Sequence, residues 1–221
     1  MVRKGEYLER ATVIPGPDGP LEGLFHRGKK RLGVLIAPPS PRDGATMESS
    51  VVAELAWALT RAGHPTLRFN YRGVGASTGA LDLERPAPEL DPDLESAREH
   101  LVACLPEKRA ELGACGLGQS GPRLLHLARN RPLCPLMLVA PDPRELPPPD
   151  PVWSDVVVAY PQHGPPPGGF EPVQAWVDGL PNGHLARIAG ADSGFRRGLV
   201  ELGQLAVSRF SPVGEIDLGE G

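Results

Sequence analysis

The chain has 221 residues, of which 40% are hydrophobic and 23% charged, with a formal net charge of −4. A chain of this length buries roughly 70% or more of the surface that its unfolded form would expose, so neither a metal nor a disulfide is needed to hold it together. No apolar run approaches the roughly 20 residues that span a bilayer, MVRKGEYLER is followed by no apolar signal core, and the modest charge gives no reason to expect a nucleic-acid partner.

Short apolar runs alternate with longer amphipathic stretches, the pattern of a mostly parallel sheet flanked by helices, so the class is α/β and a single domain over 1–221 is expected. In chain order, strands are predicted at 11–14, 21–26, 32–37, 66–71, 112–117, 135–140, 156–160 and 184–188. Met47 to Ala62 sets Val51, Val52, Leu55, Ala56 and Leu59 on one stripe of a helix. Further helices are predicted at 91–105, 121–130, 171–179 and 195–210. Arg27, Lys29, Lys30 and Arg31 form the one dense basic cluster, read as a solvated hairpin turn opened by Gly28 rather than a nucleic-acid patch. PDPRELPPPDP (141–151) and PQHGPPPGG (161–169) read as stiff loops, because proline lacks the donor that a sheet or helix interior uses. Cys104, Cys115 and Cys134 lack the paired spacing of a zinc site and read as reduced core residues of a cytoplasmic protein.

Three places could hold a nucleophile. A nucleophile elbow reads G-x-S-x-G between a strand and a helix, because the turn is so tight that small residues must flank the serine. GASTG (75–79) matches literally, yet the following segment carries Pro86, Pro88 and Pro92 and no apolar stripe, so Ser77 belongs to a glycine-rich loop. GACGLGQSGPRLLHLA (113–128) has the right surroundings and two registers. With Ser120 at the bend, Pro122 and Arg123 fall where small residues are required; with Gly118 there, Gly116 and Ser120 flank it, and sterics favour this second register. Cys115 precedes the turn inside a strand, where burial suppresses thiolate formation.

Four segments carry a family resemblance: IPGPDGPLEG (14–23), APPSPRDGATMESSVV (37–52), TLRFNYRGVGASTG (66–79) and GADSGF (190–195). Together they resemble the small, lidless bacterial α/β hydrolases of esterase-like type, which implies an α/β-hydrolase fold with no cap domain. In that family the loop matching Pro38 to Thr46 shapes the oxyanion hole and usually reads His-Pro-His-Pro followed by a glycine pair; here Pro38 and Ser40 take the histidine positions and Ala45 replaces one glycine. The resemblance also puts the family's serine position on Gly118, its histidine position on Ser193 and its acid position at or near Gly164. Asp142, after the sixth strand, is an alternative acid.

A serine attacks poorly unless a neighbouring base takes its proton. His26, His64, His100 and His126 fall in the early hairpin, a helix-to-strand turn and two helices. His163, in the second proline-rich loop, and His184, at the start of the last strand, remain as candidate bases. The expectation is a catalytically degenerate protein without a cofactor, binding a small ligand or a protein partner above the C-terminal strand edges, with Ser40, Arg42, Asp43, Gly44, Gly118, Gln119 and Ser193 lining the pocket. The alternative is an esterase or thioesterase in which Ser120 attacks with help from His163 or His184. A lyase or isomerase needing no covalent step stays open.

Overall fold

The structure, a computed structural model, describes residues 9–82, 84, 87–106 and 111–211. The amino-terminal residues bearing on a signal segment, and Pro86, lie outside these. Eight strands run in chain order as β1 (Arg10–Gly16), β2 (Gly19–His26), β3 (Gly33–Ala37), β4 (Thr66–Phe69), β5 (Leu112–Leu117), β6 (Leu136–Val139), β7 (Val156–His163) and β8 (Gly183–Asp192). Five helices accompany them: α1 (Ser50–Arg61), α2 (Asp91–Cys104), α3 (Ser120–Asn130), α4 (Glu171–Asp178) and α5 (Leu199–Phe210). The spatial order is β1-β2-β4-β3-β5-β6-β7-β8. β1 and β2 are antiparallel, β2 meets β4 antiparallel, and all remaining pairs are parallel.

The central strands read as continuous apolar runs because both of their faces are covered. Val34, Ile36, Cys115, Met137, Val139 and Val157 pack toward α1 and α5. Leu35, Ala114, Leu136, Leu138, Val156 and Val158 pack on the other side with Leu94 and Leu101 of α2, Leu124 of α3 and Val173 of α4. Alternation of successive side chains across each strand thus builds two cores, one on either face.

Several sequence expectations are corrected. The basic segment is no hairpin: β2 pairs with β4, so residues 27–32 pass beyond the end of β4 to reach β3. Gly28 takes φ +54 where a Cβ would collide with the Pro65 nitrogen, and the Lys29 and Lys30 amides both donate to the Gly63 carbonyl. Pro161 and His163 lie in β7 rather than in a loop. β6 pairs with β7 only as far as Ala159, so beyond it β7 meets β8 alone, and a residue without an N–H is tolerated on its open side. The last helix starts at Leu199 after a left-handed Gly198 instead of at Phe195. Of the three free thiols only Cys115 is in the core; Cys104 is half-buried and Cys134 exposed. Among the described residues, no helix is long and apolar enough to cross a membrane.

Candidate functional site

β3 is flanked by β4 and β5. The chain leaves β3 toward β4 and leaves β5 toward β6, a topological switch point of the kind at which α/β sheets hold ligands. Ala37 stands beside Gly116 at the end of this pair. Residues 38–44 follow β3 at this edge and the corner at Gly118 follows β5.

The bend of the corner falls at Gly118. Gly118 has φ +52, a Cβ built on it meets nothing within 4 Å, and its amide donates to the Val139 carbonyl at 2.9 Å. A side chain here would therefore project into open space from a backbone that L-residues rarely adopt, which is the strained geometry of a nucleophile position. Two residues earlier, a Cβ on Gly116 would lie 2.9 Å from both the nitrogen and the Cα of Gly121 and 2.8 Å from a Leu124 methyl, so α3 can approach β5 only because Gly116 lacks one. α3 then begins at Ser120. The strand-to-helix corner thus carries Gly118 as its positive-φ residue, the position to which the resemblance assigns the family's serine.

Ser120 faces the interior. It is fully buried; the Tyr71 hydroxyl lies 2.6 Å from its Oγ, and that Oγ donates to the Pro38 carbonyl at 2.5 Å. The serine thus ties α3 to the first residue of the loop after β3, and burial raises the Tyr71 phenol far above its ordinary range. No imidazole is among its partners. His184 is exposed at the N-terminal end of β8, opposite Val157 at the start of β7, whereas the elbow lies at the C-terminal edge of the sheet. His163 is at the C-terminal edge, exposed at the last residue of β7 and paired in register with Asp192.

The loop after β3 is ordered by its own short turn. Ser40 is buried and its Oγ accepts from the Arg42 amide at 3.3 Å; Pro41–Asp43 form a single 3-10 turn closed by Gly44 at φ +66. Ser40, Arg42, Asp43 and Gly44 thus follow β3 at the sheet edge where Gly118 and Gln119 follow β5. Gln119 reaches away from the corner, its Nε2 donating to Glu145 at 3.3 Å, while its buried Oε1 has no hydrogen-bond partner.

Ser193 follows β8 at the same edge, but three strands beyond β5. Its turn is well built: the Phe195 amide donates to the Asp192 carbonyl at 2.8 Å, the Arg196 amide donates to the Asp192 carboxylate at 2.7 Å, and Phe195 is buried at φ +51. A Cβ on Gly164 would fall 2.8 Å from the Ser193 Cα and 2.9 Å from its Cβ. The two positions that the resemblance assigns to acid and base are thus in contact, and they hold a glycine and a serine. Asp142 is engaged by the Arg144 guanidinium, at 2.5 to 3.1 Å, which holds its carboxyl below the usual range. Burial pushes the Cys115 thiol far above its ordinary range, and Ser77 is spent on a loop, donating to the Asn70 carbonyl at 2.8 Å and accepting from the Glu22 amide at 2.9 Å. Among the described residues no cluster of His, Cys, Asp or Glu could hold a metal ion.

The chain has the α/β-hydrolase fold. It is similar to a lidless α/β serine hydrolase from Xanthomonas campestris, at 23% identity over 96% of this chain and 98% of that one, with a TM-score of 0.75. A protein of unknown function from Agrobacterium tumefaciens, classed with the α/β hydrolases, gives 22%, 90%, 93% and 0.76 for the same quantities. An α/β serine hydrolase homologue from Coxiella burnetii gives 26%, 94%, 98% and 0.73. These structures bear out the likeness to small lidless α/β hydrolases read from the four segments. No family model and no curated protein matches the chain. Sequence reasoning missed Tyr71, whose role depends on a contact 49 residues along the chain and leaves no local signal.

Proposed function

We propose that this protein is a catalytically degenerate member of the α/β-hydrolase fold that works as a binding module, taking a small ligand or a partner's side chain into the crevice between the loop after β3 and the Gly118 corner. The observation that carries this reading is the open, positive-φ Gly118 at the elbow, together with a serine rather than an imidazole after β8. Without nucleophile and base, the residual acceleration available from binding and oxyanion contacts is roughly 10³- to 10⁴-fold over water. The three free thiols support a reducing, cytoplasmic setting.

The test is covalent. A fluorophosphonate probe is expected to leave the protein unlabelled, and short p-nitrophenyl esters are expected to turn over no faster than with a Gly118→Asn variant. Labelling at Ser120, or turnover abolished by Ser120→Ala, would overturn the reading and establish an esterase with a rearranged site.

A further inference from the structure

On the face of the sheet away from α2, α3 and α4, α1 and α5 enclose a trough of about 610 Å³ that the crevice does not use. Its floor is Ala58 and Gly203, where a Cβ at 203 would fall 3.0 Å from that of Ala58 and 2.7 Å from the end of the flexible Glu54 side chain. Its rim carries Trp57, 51% exposed, and Val200, 59% exposed, whereas the chain's other two indoles are 2% and 9% exposed. Glu54 and Arg61 lie on the same stripe of α1 as Trp57. The Arg61 guanidinium rests 5.1 Å from the Trp57 ring centre, and burial raises the Glu54 carboxyl. Neither has an ion-pair partner among the described residues. A partly desolvated carboxylate without a cation is costly, and an exposed Trp beside an Arg is the composition of an interface centre.

The pattern is self-complementary. The midpoint between Glu54 and Arg61 along α1 falls at Trp57 and Ala58, so an antiparallel two-fold set there puts Glu54 opposite the partner's Arg61 twice over and each indole over the partner's small-residue floor. Such isologous matching is the signature of a two-fold dimer. We propose that a second copy of this chain occupies the trough, with α1 packed antiparallel on α1.

Sedimentation velocity of the full chain between about 1 and 100 µM tests this. The wild type is expected to sediment as a dimer, and Trp57→Ala and Glu54→Arg are each expected to weaken it by roughly 1000-fold, because two-fold symmetry loses each central contact of about 2 kcal/mol twice. Glu54→Arg/Arg61→Glu is expected to restore the dimer, because the swap re-pairs opposite charges across the axis. Acrylamide quenching of Trp57, the one exposed indole, is expected to fall as the dimer forms. Far-UV circular dichroism of each variant checks that these surface changes leave the fold intact. A wild type that stays monomeric through this range, with or without a different protein bound, overturns the proposal, as does a dimer that survives Trp57→Ala and Glu54→Arg.

Discussion

Alanine at Gly118 and at Gly116 separates the two registers of the elbow by the physical cause of the damage. At Gly118 a methyl group meets no atom within 4 Å, so the whole cost is that of holding an L-residue at φ +52, about 1–2 kcal/mol. At about 2–4 °C per kcal/mol for a chain of this size, Tm falls by roughly 2–8 °C. Because the cost is purely backbone, Gly118→Ser should match Gly118→Ala, and Gly118→Asn should cost less, since asparagine tolerates the left-handed region. At Gly116 the cost is contact: the methyl group falls 2.9 Å from two backbone atoms of Gly121. Backbone cannot swing aside as a side chain can, so about 1–3 kcal/mol or more is expected, with no relief from asparagine. Urea and thermal melts of these variants provide the measurement. Were Ser120 the residue at the bend, the crowded positions would shift to 118 and 122, and Gly116→Ala would be harmless. A neutral Gly116→Ala, or an asparagine at 118 no better than alanine, refutes the assigned corner and with it the case for lost catalysis.

Ser120→Ala strands the Tyr71 hydroxyl and the Pro38 carbonyl in the interior and is expected to cost about 1–3 kcal/mol in urea unfolding; Ser120→Ala/Tyr71→Phe should cost less than the two single changes summed, because one removes the partner the other leaves unpaired. In the native protein, iodoacetamide at pH 8 is expected to modify exposed Cys134 well before Cys115, which peptide mass spectrometry should find alkylated only after unfolding; early reaction at Cys115 would contradict its burial. Burial raises the Asp91 carboxyl more than Arg123 and His126 lower it, and its Oδ1 is buried without a partner. Its proton is therefore held more tightly in the folded state, so this contribution to stability is fully present below the unfolded value of about 3.9 and is lost as pH rises through the folded one. Asp91→Asn should accordingly raise Tm at pH 7 and give no gain at about pH 3, and a gain absent at pH 7 would show that the ion pair with Arg123 outweighs desolvation.

Much of this architecture is legible from residue order because the signals are local. The buried strands are short β-branched and aliphatic runs, the helices carry an apolar stripe, and the elbow is recognisable from glycines spaced as backbone crowding requires. The features that residue order misstates depend on partners distant in sequence. Nothing near Arg27 to Arg31 says that β2 will pair with β4 rather than β3. Pro161 argues against a strand, and one forms there only because β6 ends before reaching it. The cysteines all sit among apolar neighbours in sequence, yet Cys134 lies just before β6, outside the sheet. At the candidate site, the glycine at the corner is visible in the motif, while the inward turn of Ser120 requires knowing where Tyr71 and the Pro38 carbonyl lie.

The positions that the resemblance assigns to acid and base are not independent in the structure. A carboxylate at 164 would have to place its Cβ 2.8 Å from the Ser193 Cα, inside backbone that is itself fixed by the amides of Phe195 and Arg196 on Asp192. The strand end and the turn have closed on each other, so restoring an acid requires moving the segment that would carry the base. A serine returned to position 118 meets open space and little resistance beyond its φ, but it gains no proton acceptor. Gly118→Ser and Gly118→Ser/Ser193→His are therefore expected to react with fluorophosphonate at a level far below a working triad, because an imidazole at 193 lacks the carboxylate that fixes its tautomer and orientation. Vigorous labelling of the double variant at position 118 would show that another acid already reaches that turn, and would overturn the reading of Gly164 as the family's acid position.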